Sequence, residues 1–236
     1  PNINFDAFGQ NEIEKTNAKI IYDTEKISVI GIIEVISKYK EILNALKIAK
    51  DYIKKNKPDL IILVDYIEFN LKIAKFAKSL GIPVLFYIAP QVWAWRERRA
   101  KSFIKSIDYL AVIFPFEEVY FKRYTDKVTY VGHPLSKRLD LTTSIKDYNQ
   151  RKIDLGIFPG SRESEIKNNL HLMVDCVQKN KKENVKIFYA NETAKVILES
   201  LLPSEYHVHL VSGKDINKIS DCKKALCASG TITLEL

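Results

Sequence analysis

The 236-residue chain has the composition of an ordinary globular protein, with 46% apolar and 28% charged residues, and this excludes an intrinsically disordered chain. Its length allows one large core or two smaller ones. No stretch approaches the roughly 20 apolar residues that a membrane-spanning helix needs, so we expect a protein that is soluble or bound peripherally to a membrane.

The formal net charge of +8 favours an anionic partner, which leaves nucleotide phosphates, anionic lipid and nucleic acid open. A Lys-rich composition that only solvates helix faces explains the charge equally well. The cysteines Cys176, Cys222 and Cys227 have no CxxC spacing and fit neither a disulfide framework nor a zinc site, so we expect a reducing cytoplasm. From Pro1 onward there is no basic and then apolar leader, and we expect no secretory signal here.

Apolar runs typical of strands alternate with helical patterns along the first part of the chain. The predicted elements are a helix over 39–53, a strand over 60–64, a helix over 69–80, a strand over 84–88, a helix over 96–107, a strand over 109–114, a helix over 116–124 and a strand over 127–131. This alternation is typical of a parallel sheet wound with helices.

The alternation stops in the polar stretch 136–151 and then starts again. Its second part contains strands over 153–158, 185–190, 207–211 and 225–228, with helices over 163–179 and 191–202 and a last helix beginning near Thr231. We therefore predict an α/β protein with two Rossmann-like domains over 1–140 and 152–236, joined by a linker over 141–151, the second domain being cut short. Ligands of such domains bind at the carboxyl ends of the strands.

Two strand ends of the second domain have the character of anion sites. After one strand, Gly160 allows a tight turn, Ser161 is placed to cap the next helix, and Arg162 offers a planar fork for phosphate. A plain turn with an exposed Arg is the alternative. After another strand, Ser229-Gly230-Thr231 repeats this pattern, and Glu235, one helical turn on, is placed to accept the hydroxyls of a ribose or to lie in solvent. Neither stretch is a P-loop or a complete GxGxxG motif.

Two acids and a histidine end strands of the first domain. Asp65 follows an apolar strand and Glu68 lies three residues on, so burial of one beside the other would suit general-base chemistry, although paired acids also cap helices. His133 ends a strand near the domain boundary and is either structural or part of a site. The remaining histidines lack metal-ligand partners at suitable spacing.

Six motifs in chain order resemble the lipid-A-disaccharide synthase family. They are ISVIGIIEV at 27–35, PQVWAWR at 90–96, FPFE at 114–117, VGHPL at 131–135, FPGSRESEI at 158–166 and ASGTITLE at 228–235. The resemblance implies two Rossmann-like domains of the GT-B kind. It also implies an inverting transfer of 2,3-diacylglucosamine from UDP-2,3-diacylglucosamine to 2,3-diacylglucosamine 1-phosphate, with no metal or redox cofactor. By the same resemblance, the enzyme is expected to be cytoplasmic and bound peripherally to the anionic inner face of the inner membrane.

By motif position, the resemblance makes Asp65 the general base and Arg162 a phosphate ligand. It places Gly160 and Ser161 in the same phosphate loop, and Ser229, Gly230, Thr231 and Glu235 in the nucleotide-binding segment. Residues assigned to the acceptor or membrane side are Glu68, Asn70, Trp93, Trp95, Arg96, Arg98, Arg99 and His133.

The chain also departs from the family pattern. Where the family reads Asp-x-Pro-Asp-Phe-Asn, this chain reads Asp-Tyr-Ile-Glu-Phe-Asn at 65–70, without the Pro and with a longer second acid. The family's Gly-rich first segment and its C-terminal portion, which contributes to a homodimer, are expected beyond the two ends, so we expect the fragment alone to be inactive. The alternatives are another UDP-N-acetylglucosamine enzyme, such as the murein glucosaminyltransferase or an epimerase, and a basic nucleic-acid-binding module, for which no module motif is present.

Overall fold

The chain forms two compact units, Pro1–His133 (unit 1) and Pro134–Leu236 (unit 2). Its structure, a computed structural model, describes residues 3–10, 13, 15–27, 38–92, 97–138, 146–179, 184–230 and 232–235. Every strand pair among these residues is parallel. The predicted α/β fold class with two Rossmann-like units is therefore confirmed.

Unit 1 contains a four-stranded sheet and a separate pair of short strands. Its elements are β1 (Asp6–Gly9), β2 (Lys19–Asp23), a 3-10 turn (Thr24–Ile27), α1 (Tyr39–Asn56), β3 (Ile61–Val64), α2 (Ile67–Ser79), β4 (Val84–Tyr87), α3 (Glu97–Ile104), β5 (Tyr109–Val112), α4 (Pro115–Phe121) and β6 (Val128–Tyr130). The sheet order is β3-β4-β5-β6, and β1 pairs with β2. Because these four strands are parallel, their carboxyl ends lie along one edge of the sheet.

Aromatic side chains join the sheet of unit 1 to two of its helices. Phe103 of α3 meets Phe86 of β4 edge to face, with ring centroids 5.0 Å apart, and lies 6.1 Å from Phe121 of α4. All three rings are almost fully buried. The apolar stripe of α3 therefore faces the core, as a helix that covers a sheet requires.

Unit 2 contains a second four-stranded parallel sheet. Its elements are α5 (Leu135–Arg138), a 3-10 turn (Tyr148–Gln150), β7 (Leu155–Phe158), α6 (Glu163–Lys179), β8 (Val185–Tyr189), α7 (Glu192–Leu201), a second 3-10 turn (Ser204–His209), β9 (Leu210–Ser212), α8 (Ile216–Ser220), β10 (Ala225–Cys227) and α9 (Ile232–Glu235). The order is β10-β7-β8-β9. Ile157 and Phe158, adjacent on β7, are buried in two different apolar clusters, so this strand is covered on both faces.

The structure corrects some predicted elements. Residues 207–209, predicted to begin a strand, belong to a 3-10 turn that starts soon after Pro203, and β9 begins only at Leu210. The strands β1 and β2 and the short helix α8 were not predicted. Among the described residues, no helix combines the length and the apolar character needed to cross a membrane.

The stretch before β7 is held to unit 2 by polar contacts. Lys146 forms an ion pair with Asp221 at 2.6 Å, and the Arg151 guanidinium donates to the carbonyl oxygens of Lys146, at 3.1 Å, and Cys222, at 3.0 Å. The two compact units divide between His133 and Pro134. Because 139–145 lie outside the described residues, the linker over 141–151 stays a prediction.

Candidate functional site

Asp65 lies at the carboxyl edge of the unit 1 sheet, directly after β3. Its backbone amide donates to the carbonyl oxygen of Tyr87 at 3.0 Å, which continues the pairing of β3 with β4 by one residue. Its side chain is exposed. Asp65 and Tyr66 have φ values of 49° and 36°, a left-handed conformation that residues other than glycine seldom adopt. The turn therefore brings the Asp65 carboxylate to the surface at the end of the strand.

The second acid of this segment does not pair with Asp65. A Glu68 oxygen lies 3.0 Å from a guanidinium nitrogen of Arg99 on α3, and both side chains are largely exposed. The idea that burial of one acid beside the other makes a base is therefore wrong for this pair. Asn70, which is also expected on the acceptor side, directs its side-chain amide at the main chain of the Asp65 turn.

His133 lies at the same edge but far from Asp65. The Val131 amide donates to the Val112 carbonyl at 3.0 Å, so the chain up to His133 continues β6, at the opposite side of the sheet from β3. Three strand spacings of about 4.8 Å place the two residues roughly 14 Å apart. The His133 ring packs 5.4 Å from that of Phe114. His133 is thus no direct partner of Asp65.

Glu117 is a buried acid at this edge that the sequence reasoning passed over. It is 2% exposed, and its Oε2 accepts from the backbone amides of Ile113, at 3.3 Å, and Phe114, at 3.1 Å. Pro115 begins α4 and Glu117 is its third residue, so Phe-Pro-Phe-Glu carried a helix-start signal that could have identified it. The contact fixes the loop after β5, on which Phe114 contacts His133.

Part of the predicted acceptor or membrane side lies outside the described residues. This holds for Trp93, Trp95 and Arg96 and for the side chain of Arg98. Of the rest, Arg99 pairs with Glu68. The neighbouring Lys101 is exposed, one turn before the partly buried Ile104.

In unit 2, the turn after β7 is closed by a carboxylate. Glu165 Oε2 accepts from the Ser161 backbone amide at 3.2 Å, and Oε1 lies 3.0 Å from the Arg162 guanidinium. Gly160 has a φ of 127°, and a Cβ there would lie 2.7 Å from the Glu165 Cβ, so only glycine fits. The Asn169 amide donates to the Pro159 carbonyl at 3.2 Å and holds the start of the turn. The Glu165 carboxylate therefore accepts hydrogen bonds from the Ser161 amide and the Arg162 guanidinium, which are the donors expected to bind an anion.

The second predicted anion loop lies beside the first. β10 pairs with β7, and beyond it the Ala228 amide donates to the Phe158 carbonyl at 2.8 Å. Ser229 and Gly230 are consequently exposed next to the Gly160 turn, and Thr233 Oγ1 donates to the Gly230 carbonyl at 2.6 Å. Thr231 and the side chain of Glu235 lie outside the described residues. Within those residues, no His, Cys, Asp or Glu side chains are grouped to hold a metal ion.

The chain is similar to known proteins along its whole length. The family model described as lipid-A-disaccharide synthetase matches residues 1–236. Curated relatives named lipid-A-disaccharide synthase include those of Nitrosococcus oceani, 34% identical, and Coxiella burnetii, 33% identical; each match covers 100% of this chain. The chain spans 64% and 65% of the length of these two relatives.

Solved structures agree at the level of the fold. A UDP-GlcNAc 2-epimerase from Neisseria meningitidis bound to UDP-GlcNAc is similar with a TM-score of 0.57 at 14% identity, over 97% of this chain and 78% of that one. An S. aureus MnaA structure with UDP gives 0.56 at 12% identity, over 97% and 74%. At these identities the likeness establishes the Rossmann-like architecture of GT-B proteins and no more.

Proposed function

The chain belongs to the lipid-A-disaccharide synthetase family, and from this we propose that the protein containing it transfers 2,3-diacylglucosamine from UDP-2,3-diacylglucosamine to 2,3-diacylglucosamine 1-phosphate. The observation that carries the proposal is the family match over residues 1–236. It is supported by the exposed carboxylate of Asp65 and by the paired loops after β7 and β10, which have the residue types that the reaction needs.

On the nucleotide side, the donor's diphosphate binds at the loops after β7 and β10. Arg162 supplies a planar, permanently charged fork that matches phosphate oxygens. The exposed Ser229 and Gly230 offer hydroxyl and backbone donors beside it. Glu235, one turn into α9, accepts the ribose hydroxyls in this assignment. The Glu165 carboxylate, which now pairs with Arg162, gives way to the phosphate or shares the guanidinium with it.

On the acceptor side, Asp65 acts as the general base. Its carboxylate takes the proton of the acceptor hydroxyl while that oxygen forms a bond to the anomeric carbon of the donor. The bond from the same carbon to the diphosphate oxygen breaks, and its electron pair leaves with UDP. Attack from the face opposite the leaving group inverts the anomeric configuration. Arg162 stabilises the negative charge that builds up on the diphosphate.

We also propose that the enzyme acts at the cytoplasmic face of an anionic membrane and that the full-length protein is a homodimer. Donor and acceptor both carry acyl chains, so they must be taken from a bilayer. The basic segment around α3, which includes Arg99 and Lys101, supplies positive charge for such a contact.

The decisive assay compares donors with the full-length protein. Purified enzyme is given 2,3-diacylglucosamine 1-phosphate and either UDP-2,3-diacylglucosamine or UDP-N-acetylglucosamine, and the disaccharide and UDP are quantified. We expect transfer only from the acylated donor. Turnover of UDP-N-acetylglucosamine alone, with no disaccharide formed, would instead indicate an epimerase activity like that of the Neisseria meningitidis UDP-GlcNAc 2-epimerase, which has this fold.

A further inference from the structure

Asn70 makes three hydrogen bonds to the turn that carries Asp65. Its Nδ2 donates to the carbonyl oxygens of Val64, at 3.0 Å, and Asp65, at 2.8 Å. Its backbone amide donates to the Tyr66 carbonyl at 3.1 Å. All three carbonyls of the stretch from Val64 to Tyr66 are therefore tied to one residue on the first turn of α2.

The chemistry of these contacts fixes the orientation of the Asn70 side chain. Both side-chain partners are carbonyl oxygens, which only accept, so the amide nitrogen and not Oδ1 must face them. An amide NH2 group has two hydrogens and can serve two carbonyls at once. Asp at this position would present only acceptors to acceptors, and Ala would leave both carbonyls without this donor.

The turn needs such a restraint because its backbone conformation is unfavourable. Asp65 and Tyr66 are consecutive left-handed residues, and neither is glycine. Such conformations cost free energy and persist only where surrounding contacts enforce them. The stacking of Tyr66 on Phe69, at 5.7 Å and nearly parallel, is a second restraint on the same turn.

We propose that Asn70 is a positioning residue for the transfer reaction, one that holds the strained Asp65-Tyr66 turn so that the Asp65 carboxylate stays aimed at the acceptor hydroxyl. This rests on the function proposed above. A base must lie within hydrogen-bond reach of the proton that it takes, so a displacement of about 1 Å is enough to slow turnover severely. Asn70 itself touches the main chain and not the reacting atoms.

The test is a double-mutant cycle in the full-length enzyme, with kcat and KM measured for the acylated donor. Asn70→Ala should lower kcat by at least about 10-fold and change KM by less than about 2-fold. The variant Asp65→Asn/Asn70→Ala should be no slower than Asp65→Asn alone, because Asn70 acts through Asp65. Asn56→Ala is the matched control, since its exposed amide also donates to a main-chain carbonyl, that of Tyr52 at 2.9 Å, but at the end of α1.

Circular dichroism and thermal unfolding check the fold of each full-length variant. If Asn70→Ala loses the native spectrum, the cycle is run with Asn70→Ser, which is too short to reach both carbonyls. A natively folded Asn70 variant with full kcat overturns the inference, as does a double mutant slowed by the product of the two single effects. If instead Asp65→Asn keeps full turnover, the general-base assignment fails; if the wild type forms no disaccharide, the proposed function itself fails.

Discussion

The guanidinium of Arg162 lies 3.0 Å from the Oε1 of Glu165, whose other oxygen accepts from the Ser161 amide. A carboxylate thus stands where a phosphate of the donor is expected. We predict that Arg162→Ala weakens UDP binding by about 2 kcal/mol, the range for charge-assisted hydrogen bonds, and that Arg162→Lys restores it only in part because it lacks the planar fork. Calorimetry with the full-length protein measures both. Lys167→Ala, which removes an exposed charge paired with Glu163 on the same helix, is the control, and equal UDP affinity for wild type and Arg162→Ala would contradict the assignment.

Replacing Glu165 tests whether its carboxylate competes with the nucleotide. Glu165→Gln keeps an oxygen that can accept from Ser161 but removes the negative charge beside Arg162. Because a partly exposed ion pair contributes up to about 1 kcal/mol, UDP should bind up to roughly 5-fold more tightly to this variant. Weaker binding in the same titration would mean that Glu165 orients Arg162 for the phosphate instead of competing with it.

Removal of the proposed base should affect chemistry and not nucleotide binding. We expect Asp65→Asn to lower turnover by roughly 100-fold or more, the usual contribution of a positioned base, with UDP affinity almost intact. Steady-state kinetics and calorimetry on the same preparation give the two numbers. Asp126→Asn, an exposed acid in the loop before β6 at the opposite end of the strands, should behave as wild type. Near-normal turnover of Asp65→Asn would remove Asp65 from the mechanism.

Asp108 should make the stability of unit 1 depend on pH. Burial by itself raises the pKa of this carboxyl group, but hydrogen bonds from Lys78, at 2.9 Å, and from the Val84 amide, at 3.0 Å, together with the charges of Lys78 and Lys127, outweigh it and lower the pKa below its usual value. A lowered pKa stabilises the fold above the unfolded value of about 3.9, and this stabilisation is lost as the pH falls through the folded value.

We therefore expect Asp108→Asn to lower the free energy of unfolding of unit 1 by about 1–2 kcal/mol at pH 7, and by progressively less below pH 4. Urea unfolding followed by circular dichroism, at pH values from 7 down to 3, measures this. The exposed Asp59 provides a control variant, Asp59→Asn, without this dependence. A loss for Asp108→Asn that stays constant down to pH 3 would show that the charge is not responsible.

The fold was predictable because the apolar pattern has clear periods. Stretches such as Leu155–Phe158 are short, apolar and followed by a Gly turn, whereas β1 and β2 are short, only partly buried strands without such a pattern. The position of Asp65 was also predictable, since parallel strands end at one edge. Its left-handed turn was not, because Asp-Tyr has no glycine to signal it. The Glu165 carboxylate turns back onto the loop before its own helix as Glu117 does, and its place as the third residue of α6 carries the same helix-start signal.

The segment around α3 is the expected contact with an anionic membrane. Phe103 is 1% exposed and packs against Phe86, so the apolar stripe of α3 faces the core, and what the described side chains of this helix offer a bilayer is charge. Arg99 is partly neutralised by Glu68, while Lys101 is exposed.

Each basic group near an anionic surface contributes about 1 kcal/mol, so reversing Arg98, Arg99 and Lys101 to Glu should weaken co-sedimentation with anionic vesicles by at least about 10-fold at low salt. Reversal of the exposed Lys214, Lys218 and Lys224 of unit 2 is the matched control. If both triple variants bind as wild type does, neither surface carries the contact; if only the control loses binding, the membrane faces unit 2 and not α3.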